Sequence, residues 1–291
     1  MAIFTGICTA LITPLTERGV DYERLGALID WQIEQGADAL CICGTTGEAS
    51  TLSDAEHKDT IAFAVDRAAH RVPVIAGTGA NETAYAVELT RFAAEAGADA
   101  GLVVTPYYNK TTQKGLIRHY GEIADCSDMP IILYNVPGRT GLSIEPATYL
   151  ALSRHGNIAA VKEAGGNISK IAETMALIGD SMTLYSGNDD QIVPLMALGA
   201  KGCISVLANI MPAGAHELCR RALAGDFAGA LELQLRWLPL INALFSEVNP
   251  IPVKAAMAAL GWCENFLRGP LYPMEDASKL LAEMRNAGLA V

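Results

Sequence analysis

The sequence predicts an α/β fold, namely one (β/α)₈ barrel with a helical appendage at its C-terminal end. Short apolar runs alternate with amphipathic helical stretches from the start of the chain to about residue 224, and this alternation is typical of a parallel sheet. Eight such units can be counted, and eight parallel strands close into a TIM barrel, whereas an open doubly wound sheet usually has fewer strands. The length of 291 residues fits one barrel of roughly 250 residues with an additional segment.

The predicted strands are short and rich in Val, Ile, Leu or Cys, as expected for strands that are buried on both faces. They cover residues 6–14, 39–44, 72–77, 100–106, 130–136, 158–163, 183–186 and 202–208. The helices predicted between them cover residues 22–35, 54–69, 83–96, 113–124, 146–154, 169–178, 192–198 and 213–224. We therefore assign residues 1–224 to the barrel.

Local signals mark the ends of several predicted helices. The sequence SDAE at 53–56 is a capping box at the start of the second helix. Five glycines are placed where helices should end, and we expect them to adopt the left-handed conformation of a helix cap. They are Gly36, Gly97, Gly156, Gly179 and Gly199. After residue 224 the predicted strands cease. Three helical stretches, near 226–247, 252–260 and 274–287, then form a predicted C-terminal helical domain over residues 225–291.

Charge and cysteine content exclude several classes of protein. The net charge is −11 and no stretch combines clustered Lys and Arg with aromatic residues, so we expect no nucleic acid and no membrane as partner. The apolar N-terminal stretch lacks a basic leader and is interrupted by Pro14 and Glu17, which predicts a cytoplasmic location. The seven cysteines are widely spread and indicate reduced core residues. Cys41 and Cys43 should share one strand face but have no further ligands nearby.

No spacing in the sequence indicates a metal or nucleotide site. The five histidines show no ligand pattern. The side chains of Asp189 and Asp190 should diverge, which favours a structural role. The partial glycine motif at 77–79 has Glu82 where a third glycine would stand, and its charge would oppose a phosphate. We therefore expect no metal and no nucleotide cofactor.

A lysine interrupts the apolar run of the sixth predicted strand, IAAVKEA at 158–164. In a parallel barrel, functional residues stand at the carboxyl ends of the strands and in the loops that follow. Burial disfavours an ammonium, so we expect the pKa of Lys162 to fall towards roughly 7–8 and give a free amine that attacks a ketone. The alternative is a lysine that extends to solvent or pairs with Glu163, although strand alternation puts these two side chains on opposite faces.

Other strand ends carry side chains suited to the same chemistry. Tyr134 ends the fifth strand and either transfers protons near an imine or simply fills the core. Arg139 follows that strand, and its guanidinium either matches a carboxylate or lies on the surface. The sequence GTTGE at 44–48 offers hydroxyls and backbone amides to a carboxylate, or forms a simple tight turn. Two adjacent tyrosines, Tyr107 and Tyr108, follow the fourth strand and must point in different directions.

Together these motifs resemble the dihydrodipicolinate synthase family, also called the 4-hydroxy-tetrahydrodipicolinate synthase family, within the class I pyruvate aldolase superfamily of N-acetylneuraminate lyase. The resemblance covers essentially the whole chain, in order, with one motif at each successive strand end. The motifs are GTTGE at 44–48, TPYYN at 105–109, YNVPGRTG at 134–141, VKEA at 161–164, SGNDD at 186–190 and GCIS at 202–205. The Thr45-Thr46 pair and Arg139 favour the synthase over the sugar-acid lyases of the superfamily.

The resemblance implies a reaction and its catalytic groups. Pyruvate and L-aspartate 4-semialdehyde would condense to (4S)-4-hydroxy-2,3,4,5-tetrahydrodipicolinate, the entry step to lysine and diaminopimelate biosynthesis. No cofactor is implied, because the Schiff base is itself the electron sink. Lys162 would form the imine and Tyr134 would donate and accept protons. Thr46 would link Tyr134 to Tyr108, which would reach across a dimer interface into the neighbour's site.

The resemblance also implies the substrate-binding groups and the assembly. Thr45 and Thr46 would hold the pyruvate carboxylate, while Arg139 would receive the carboxylate of the aldehyde. The backbones of Gly187 and Ile204 would line the side of the lysine. Because Tyr108 would complete the neighbour's site, the family implies at least a dimer and favours a homotetramer built from two dimers.

Lysine-inhibited members of the family bind L-lysine at the dimer interface. The matching positions here are Ala49, Ser50, Asp54, His57, Asn81, Tyr85 and Tyr107. Tyr85 replaces the glutamate that usually holds the effector's ammonium, and Asp54 stands where a histidine is usual. Losing a charged partner costs about 1.5–3 kcal/mol, or roughly 10–100-fold in affinity. We therefore expect weak or absent inhibition, unless Asp54 supplies the missing charge.

Two alternative functions stay open at this point. Another pyruvate-dependent aldolase or lyase, acting on N-acetylneuraminate or a 2-keto-3-deoxy sugar acid, would share the lysine and tyrosine but would not require Arg139. A catalytically silent barrel that binds small acids would share the fold. The complete set of Lys162, Tyr134 and Thr46 argues against the silent barrel.

Overall fold

Eight parallel strands close into a barrel in which each strand pairs with the next and the last pairs with the first. The structure, a computed structural model, describes residues 2–291. The barrel strands are β1 (Gly6–Ala10), β2 (Ala39–Ile42), β3 (Val74–Gly77), β4 (Ala100–Val104), β5 (Ile131–Asn135), β6 (Ile158–Glu163), β7 (Thr183–Ser186) and β8 (Gly202–Ser205). A small antiparallel hairpin, Leu15–Thr16 with Gly19–Val20, lies outside the barrel. The predicted (β/α)₈ fold is confirmed.

Helices surround the barrel and continue beyond its last strand. They are α1 (Tyr22–Glu34), α2 (Asp54–Ala68), α3 (Thr83–Glu95), α4 (Gln113–Ala124), α5 (Pro137–Thr140), α6 (Pro146–Leu152), α7 (Ile168–Ile178), α8 (Ile192–Ala197), α9 (Pro212–Leu223), α10 (Phe227–Leu244), α11 (Ile251–Ala259) and α12 (Ser278–Asn286). The predicted capping box at the start of α2 is present, with Ser53 and Glu56 bonded reciprocally. The division at residue 224 stays a prediction, since α10 packs directly on α9.

Several predicted element ends differ from the observed ones. The first strand ends at Ala10 rather than at residue 14, because the Ile12 amide donates to the side chain of Asn209 instead of to a neighbouring strand. Gly36, Gly97 and Gly199 have positive φ of 89°, 91° and 99°, as predicted. The φ of Gly179 is positive, but its ψ of −131° lies outside the left-handed helical region.

The prediction for Gly156 was wrong. Helix α6 ends at Leu152, and its cap residue Ser153 has right-handed dihedral angles. Gly156 therefore lies past the helix, and it is not among the glycines with positive φ.

Strand alternation divides the core into two layers. Side chains such as Cys8, Cys41, Tyr134 and Ile204 form the cluster inside the barrel, while the opposite faces pack against the helices. Cys41 and Cys43 were predicted to share a face, but Cys43 belongs to the outer layer. The strand ends at Ile42, and the positive φ of 54° at Cys43 reverses the alternation. The seven cysteines are free, and all except the half-buried Cys126 are buried.

None of the helices found within residues 2–291 combines the length and the apolar character required to cross a membrane.

Candidate active site

Lys162 and Tyr134 lie side by side on the inner face of the barrel. They belong to the adjacent strands β6 and β5 and are paired in register. The Lys162 Nζ atom is 4.4 Å from the centroid of the Tyr134 ring, and the two residues are only 6% and 7% exposed. The structure therefore brings together the two residues that the sequence singled out for imine chemistry.

The amine of Lys162 opens into a cavity of about 120 Å³ at the carboxyl end of the strands. Its lining includes five residues predicted for the site besides the lysine, namely Thr45, Thr46, Tyr134, Arg139 and Gly187. Asn188, Val206, Phe245 and Asn249 also line it. Side chains from several strand ends meet here around one amine, as in the active sites of such barrels. The volume suits a small substrate such as a keto acid.

Two opposing effects act on the pKa of Lys162. Burial disfavours the ammonium and is the largest influence, while nearby negative charge on Tyr134 and three thiols brings the pKa above its ordinary 10.5. This differs from the predicted value near 7–8. The thiols act only when ionised, and burial raises the pKa of Cys41 to about 11 and those of Cys8 and Cys203 well above 9.0. Such thiols are neutral at pH 7 and carry no charge there that would raise the pKa of Lys162.

Thr46 is held from the C-terminal part of the chain. Its hydroxyl is buried and accepts a hydrogen bond of 3.0 Å from the Asn249 side-chain amide. Within residues 2–291 the structure contains no hydrogen bond from Thr46 to Tyr134 or Tyr108, so the predicted link among the three stays a prediction. Asn249 was not singled out from the sequence. The sequence marks Asn249 only as a polar residue in the stiff segment before Pro250. Its importance depends on a contact with a residue 203 positions away.

Arg139 is placed at the rim of the same cavity. Helix α5 carries it, and its Nη2 donates to the Asn249 carbonyl oxygen at 2.9 Å. Arg139 as a residue is exposed, and it lines both the Lys162 cavity and a larger neighbouring one. This position suits a group that receives an anion entering from solvent.

Gly187 and Ile204 lie on the other side of the lysine. A Cβ at Gly187 would come within 3.1 Å of Lys162 Cε and 2.9 Å of Ala164 Cβ, so only glycine leaves the lysine room. Ile204 is fully buried inside the barrel and is not among the residues that line the cavity. Val206, two residues further along, lines it instead.

Tyr108 lies away from the site of its own chain. The side chain is 92% exposed, its φ is +66°, and it lines neither of the two cavities described here. Tyr107 is 37% exposed and lines the larger cavity. The two tyrosines therefore point in different directions, as expected from the sequence.

A second cavity, of about 380 Å³, contains most of the predicted effector positions. Ala49, Ser50, His57, Tyr85 and Tyr107 line it, whereas Asp54 and Asn81 do not. It adjoins the Lys162 cavity, because Thr45, Tyr134 and Arg139 contribute to both linings.

Several of the predicted effector positions already have hydrogen-bond partners within the chain. Tyr85 donates to Asp54 Oδ1 at 3.1 Å, and Lys58 donates to Asp54 Oδ2 at 2.9 Å. His57 is buried with its Nε2 2.8 Å from the Gly77 carbonyl oxygen, and burial lowers its pKa. Asn81 bonds to the Tyr107 carbonyl oxygen at 3.3 Å.

Residues 2–291 contain no group of three or more His, Cys, Asp or Glu side chains that could hold a metal ion. Asp189 and Asp190 diverge as predicted, since Asp189 is buried and Asp190 is exposed. Asp189 accepts hydrogen bonds from the amides of Val206 at 3.0 Å and Leu207 at 2.9 Å. Its role is therefore to hold the loop after β8.

Comparisons with known proteins agree over nearly the whole chain. The model of the Dihydrodipicolinate synthetase family matches residues 3–285. A curated relative from Thermoanaerobacter sp., described as 4-hydroxy-tetrahydrodipicolinate synthase, is 54% identical over 277 residues, covering 95% of this chain and 93% of the relative. A solved dihydrodipicolinate synthase from Aquifex aeolicus has a TM-score of 0.96 at 48% identity, covering 98% of this chain and 99% of its own. A solved structure from Cyanidioschyzon merolae, described with lysine bound, has a TM-score of 0.96 at 36% identity and covers both chains fully.

Proposed function

The chain belongs to the dihydrodipicolinate synthetase family and is a lyase of the class I aldolase type that condenses pyruvate with L-aspartate 4-semialdehyde; we propose that Lys162 forms the imine of this reaction. The observation that carries this role is the buried Lys162 amine, 4.4 Å from the centroid of the Tyr134 ring, at the wall of a small cavity. A buried amine beside a phenol has both the nucleophile and the proton-transfer group that imine formation requires.

The proposed reaction uses Lys162 as the nucleophile and Tyr134 as the proton-transfer group. The amine attacks the pyruvate ketone, and loss of water gives the imine. Tyr134, whose ring centroid lies 4.4 Å from the amine, would transfer protons during these steps. A methyl proton then leaves to give the enamine, whose carbon attacks the aldehyde. The amine of the second substrate displaces Lys162 by transimination, which closes the ring and releases the lysine.

Carboxylate recognition is divided between two sides of the cavity. Thr45 and Thr46 follow β2 and would hold the pyruvate carboxylate close to Lys162. Arg139 lines the same cavity, and its guanidinium would receive the carboxylate of L-aspartate 4-semialdehyde. A sugar-acid substrate would not require this guanidinium, and the synthase name of the 54% identical relative supports the same choice.

We also propose that the active form is at least a dimer, favouring two dimers in a tetramer, and that it acts in the cytoplasm. The exposure of Tyr108, 92% in the isolated chain, supports a role in a neighbouring subunit. The biosynthetic reaction of the family supports the location.

Borohydride trapping tests the assignment of Lys162. Incubation with pyruvate and borohydride should add one reduced pyruvyl group to the wild-type protein, seen by mass spectrometry and placed on Lys162 by peptide mapping. Lys162→Ala should give no adduct, and neither should Lys162→Arg, because a guanidinium is not deprotonated at neutral pH. A stable adduct on either variant would refute the assignment.

A further inference from the structure

The outer faces of the two catalytic strands carry a second pair of side chains. Asn135 follows Tyr134 in β5, and Glu163 follows Lys162 in β6. The strand register pairs Tyr134 with Lys162 and, one step further, Asn135 with Glu163. Since successive side chains alternate across a strand, the second pair lies directly behind the first, outside the barrel.

Asn135 and Glu163 are joined by two hydrogen bonds. The Asn135 side-chain amide lies 2.9 and 3.0 Å from the two carboxylate oxygens of Glu163. The same carboxylate accepts from Tyr149 Oη at 3.0 Å and from the Gly165 amide at 2.6 Å. The side-chain oxygen Oδ1 of Asn135 in turn accepts from the Ile144 amide at 3.0 Å. Both side chains are buried, with 3% and 7% of their surfaces exposed.

The carboxylate of Glu163 is buried without a salt bridge to any cation among residues 2–291. Lys170, on the neighbouring helix α7, pairs with Glu145 instead. Burial raises the pKa of Glu163, whereas the hydrogen bonds from Asn135, Gly165 and Tyr149 lower it. An apolar pair would fill this space without the desolvation cost of a buried charge. The arrangement is therefore better explained by the geometry that it imposes than by a gain in stability.

Strands β5 and β6 also contain a register irregularity, for which the hydrogen bonds between Asn135 and Glu163 would compensate. Ile131 pairs with Ile158 but Ile132 pairs with Ala160, so β6 has one extra residue at this point. A bulge of this kind disrupts the ladder locally, and a register shift of one residue moves side chains to the opposite face. The Asn135–Glu163 pair lies beyond the bulge, at the end of the strands that carries Tyr134 and Lys162.

We propose that Asn135 and Glu163 are positioning residues, whose hydrogen-bonded pair fixes the relative placement of Tyr134 and Lys162 across the bulged strand pair. Neither side chain touches the cavity of Lys162. Gly165 is part of the same arrangement, because a Cβ at this position would come within 2.7 Å of the Glu163 carboxylate. The inference rests on the proposed role of Lys162 in imine formation, and the experiment separates the two.

The test measures the rate of borohydride trapping with pyruvate in a matched set of variants. Asn135→Ala removes both bonds to Glu163, and Asn135→Asp places two carboxylates against each other. The exchange variant, Asn135→Asp with Glu163→Gln, reverses amide and carboxylate while keeping both side-chain lengths. Tyr149→Phe is the control, because it removes a bond to Glu163 from helix α6 without touching the link between β5 and β6. Circular dichroism and thermal unfolding confirm that each variant compared is folded.

We expect trapping by Asn135→Ala to slow by about tenfold or more, since misplacement by about 1 Å can reduce a rate 100-fold. The exchange variant should recover most of that loss, and Tyr149→Phe should lower the unfolding temperature while trapping at close to the wild-type rate. Wild-type trapping by Asn135→Ala, or an exchange variant no faster than Asn135→Ala, would overturn the positioning role. If Asn135→Asp does not fold, these two comparisons still decide the question. Absence of trapping in the wild-type protein would instead overturn the role of Lys162.

Discussion

At the residue scale, the structure changes the expectation for Asp54. Tyr85 offers no negative charge to the ammonium of L-lysine. The sequence alone leaves open whether Asp54 supplies that charge instead. In the structure this carboxylate already accepts bonds from Tyr85 and from Lys58, and Lys58 also contacts Glu88 at 2.6 Å. The ammonium of Lys58 therefore satisfies Asp54 within the chain, and an effector would have to displace it.

We predict that L-lysine inhibits this enzyme weakly or not at all. Initial rates measured against a lysine titration should show no inhibition at sub-millimolar concentrations. Lys58→Ala frees the Asp54 carboxylate and should increase the affinity for lysine, by about tenfold if one charged contact is gained. Glu88→Ala is the control, since Lys58 keeps Asp54 as partner. Strong inhibition of the wild-type enzyme by sub-millimolar lysine would contradict the prediction.

Single residues were predictable from the sequence where their chemistry conflicts with their local surroundings. Lys162 stands out because a cation interrupts an apolar strand, and Arg139 and Thr46 stand out as polar groups at strand ends. Asn249 has no such local conflict. A hydrogen bond to a residue 203 positions away cannot be inferred from local sequence alone. The same holds for the pKa of Lys162, which depends on its burial and on Tyr134 in the neighbouring strand.

At the scale of elements, the start of helix α2 is bonded to the segment between α11 and α12. Glu56 pairs with Arg268 and also completes the capping box with Ser53, and these bonds, above all those from Arg268, lower its pKa from 4.5 to about 2. A carboxyl whose folded pKa lies below its unfolded value stabilises the folded state fully above the unfolded pKa. That contribution is lost as the pH falls from about 4.5 to about 2.

We predict that Glu56→Gln weakens the pH dependence of stability in this acidic range. The free energy of unfolding, measured by denaturant titration at several pH values, should differ most between wild type and variant at neutral pH. The difference should shrink as the pH falls from 4.5 towards 2, because the wild-type carboxyl becomes protonated. Glu232→Gln serves as control, as that carboxylate is exposed and pairs with Arg236 on the same helix. A difference that stays constant across the range would show that Glu56 does not titrate in this way.

Helix α11 is joined to the loop after β2 by a buried ion pair. Lys254 Nζ donates to Glu48 and to the Thr13 carbonyl oxygen, and the side chains of Lys254 and Glu48 are 0% and 1% exposed. Glu48 belongs to the GTTGE loop that carries Thr45 and Thr46. The pair therefore connects the proposed pyruvate-binding loop to the C-terminal helices.

We predict that Lys254→Met lowers the free energy of unfolding by about 3–5 kcal/mol, because it leaves Glu48 charged and buried without its partner. The double variant Glu48→Gln with Lys254→Met should recover part of that loss, since no charge is then buried. Urea titrations of the single and double variants measure the coupling. Arg236→Ala breaks an exposed pair and should cost about 0.3–0.5 kcal/mol. A double variant no more stable than Lys254→Met would refute the argument.

Element types were more predictable than element ends. The eight strands and the main helices follow from apolar periodicity, which depends on neighbours close in sequence. The hairpin Leu15–Thr16 with Gly19–Val20 and the one-turn helix α5 are too short to give a periodic signal. The left-handed turn at Cys43 was missed for the same reason, and with it the side of the barrel on which that thiol lies.

At the scale of the whole molecule, the proposed role of Tyr108 implies that one chain does not contain a complete site. We predict that monomers are nearly inactive and that two inactive variants complement each other. Tyr108→Phe and Lys162→Ala chains, mixed under conditions that allow subunit exchange, should recover part of the activity. Some mixed interfaces then contain one site with both native residues. Exchange is verified by mass spectrometry of labelled chains, and no recovery after verified exchange would count against the role of Tyr108 across the interface.

The contacts of Asn249 and Lys254 have a consequence for how the enzyme is made. Both residues come after all eight barrel strands, yet Asn249 holds Thr46 and Lys254 holds the loop that contains it. A nascent chain of which only the barrel strands have emerged from the ribosome lacks both contacts. The pocket around Lys162 is therefore assembled late in translation, and an incomplete chain is an unfinished catalyst even when its barrel has closed.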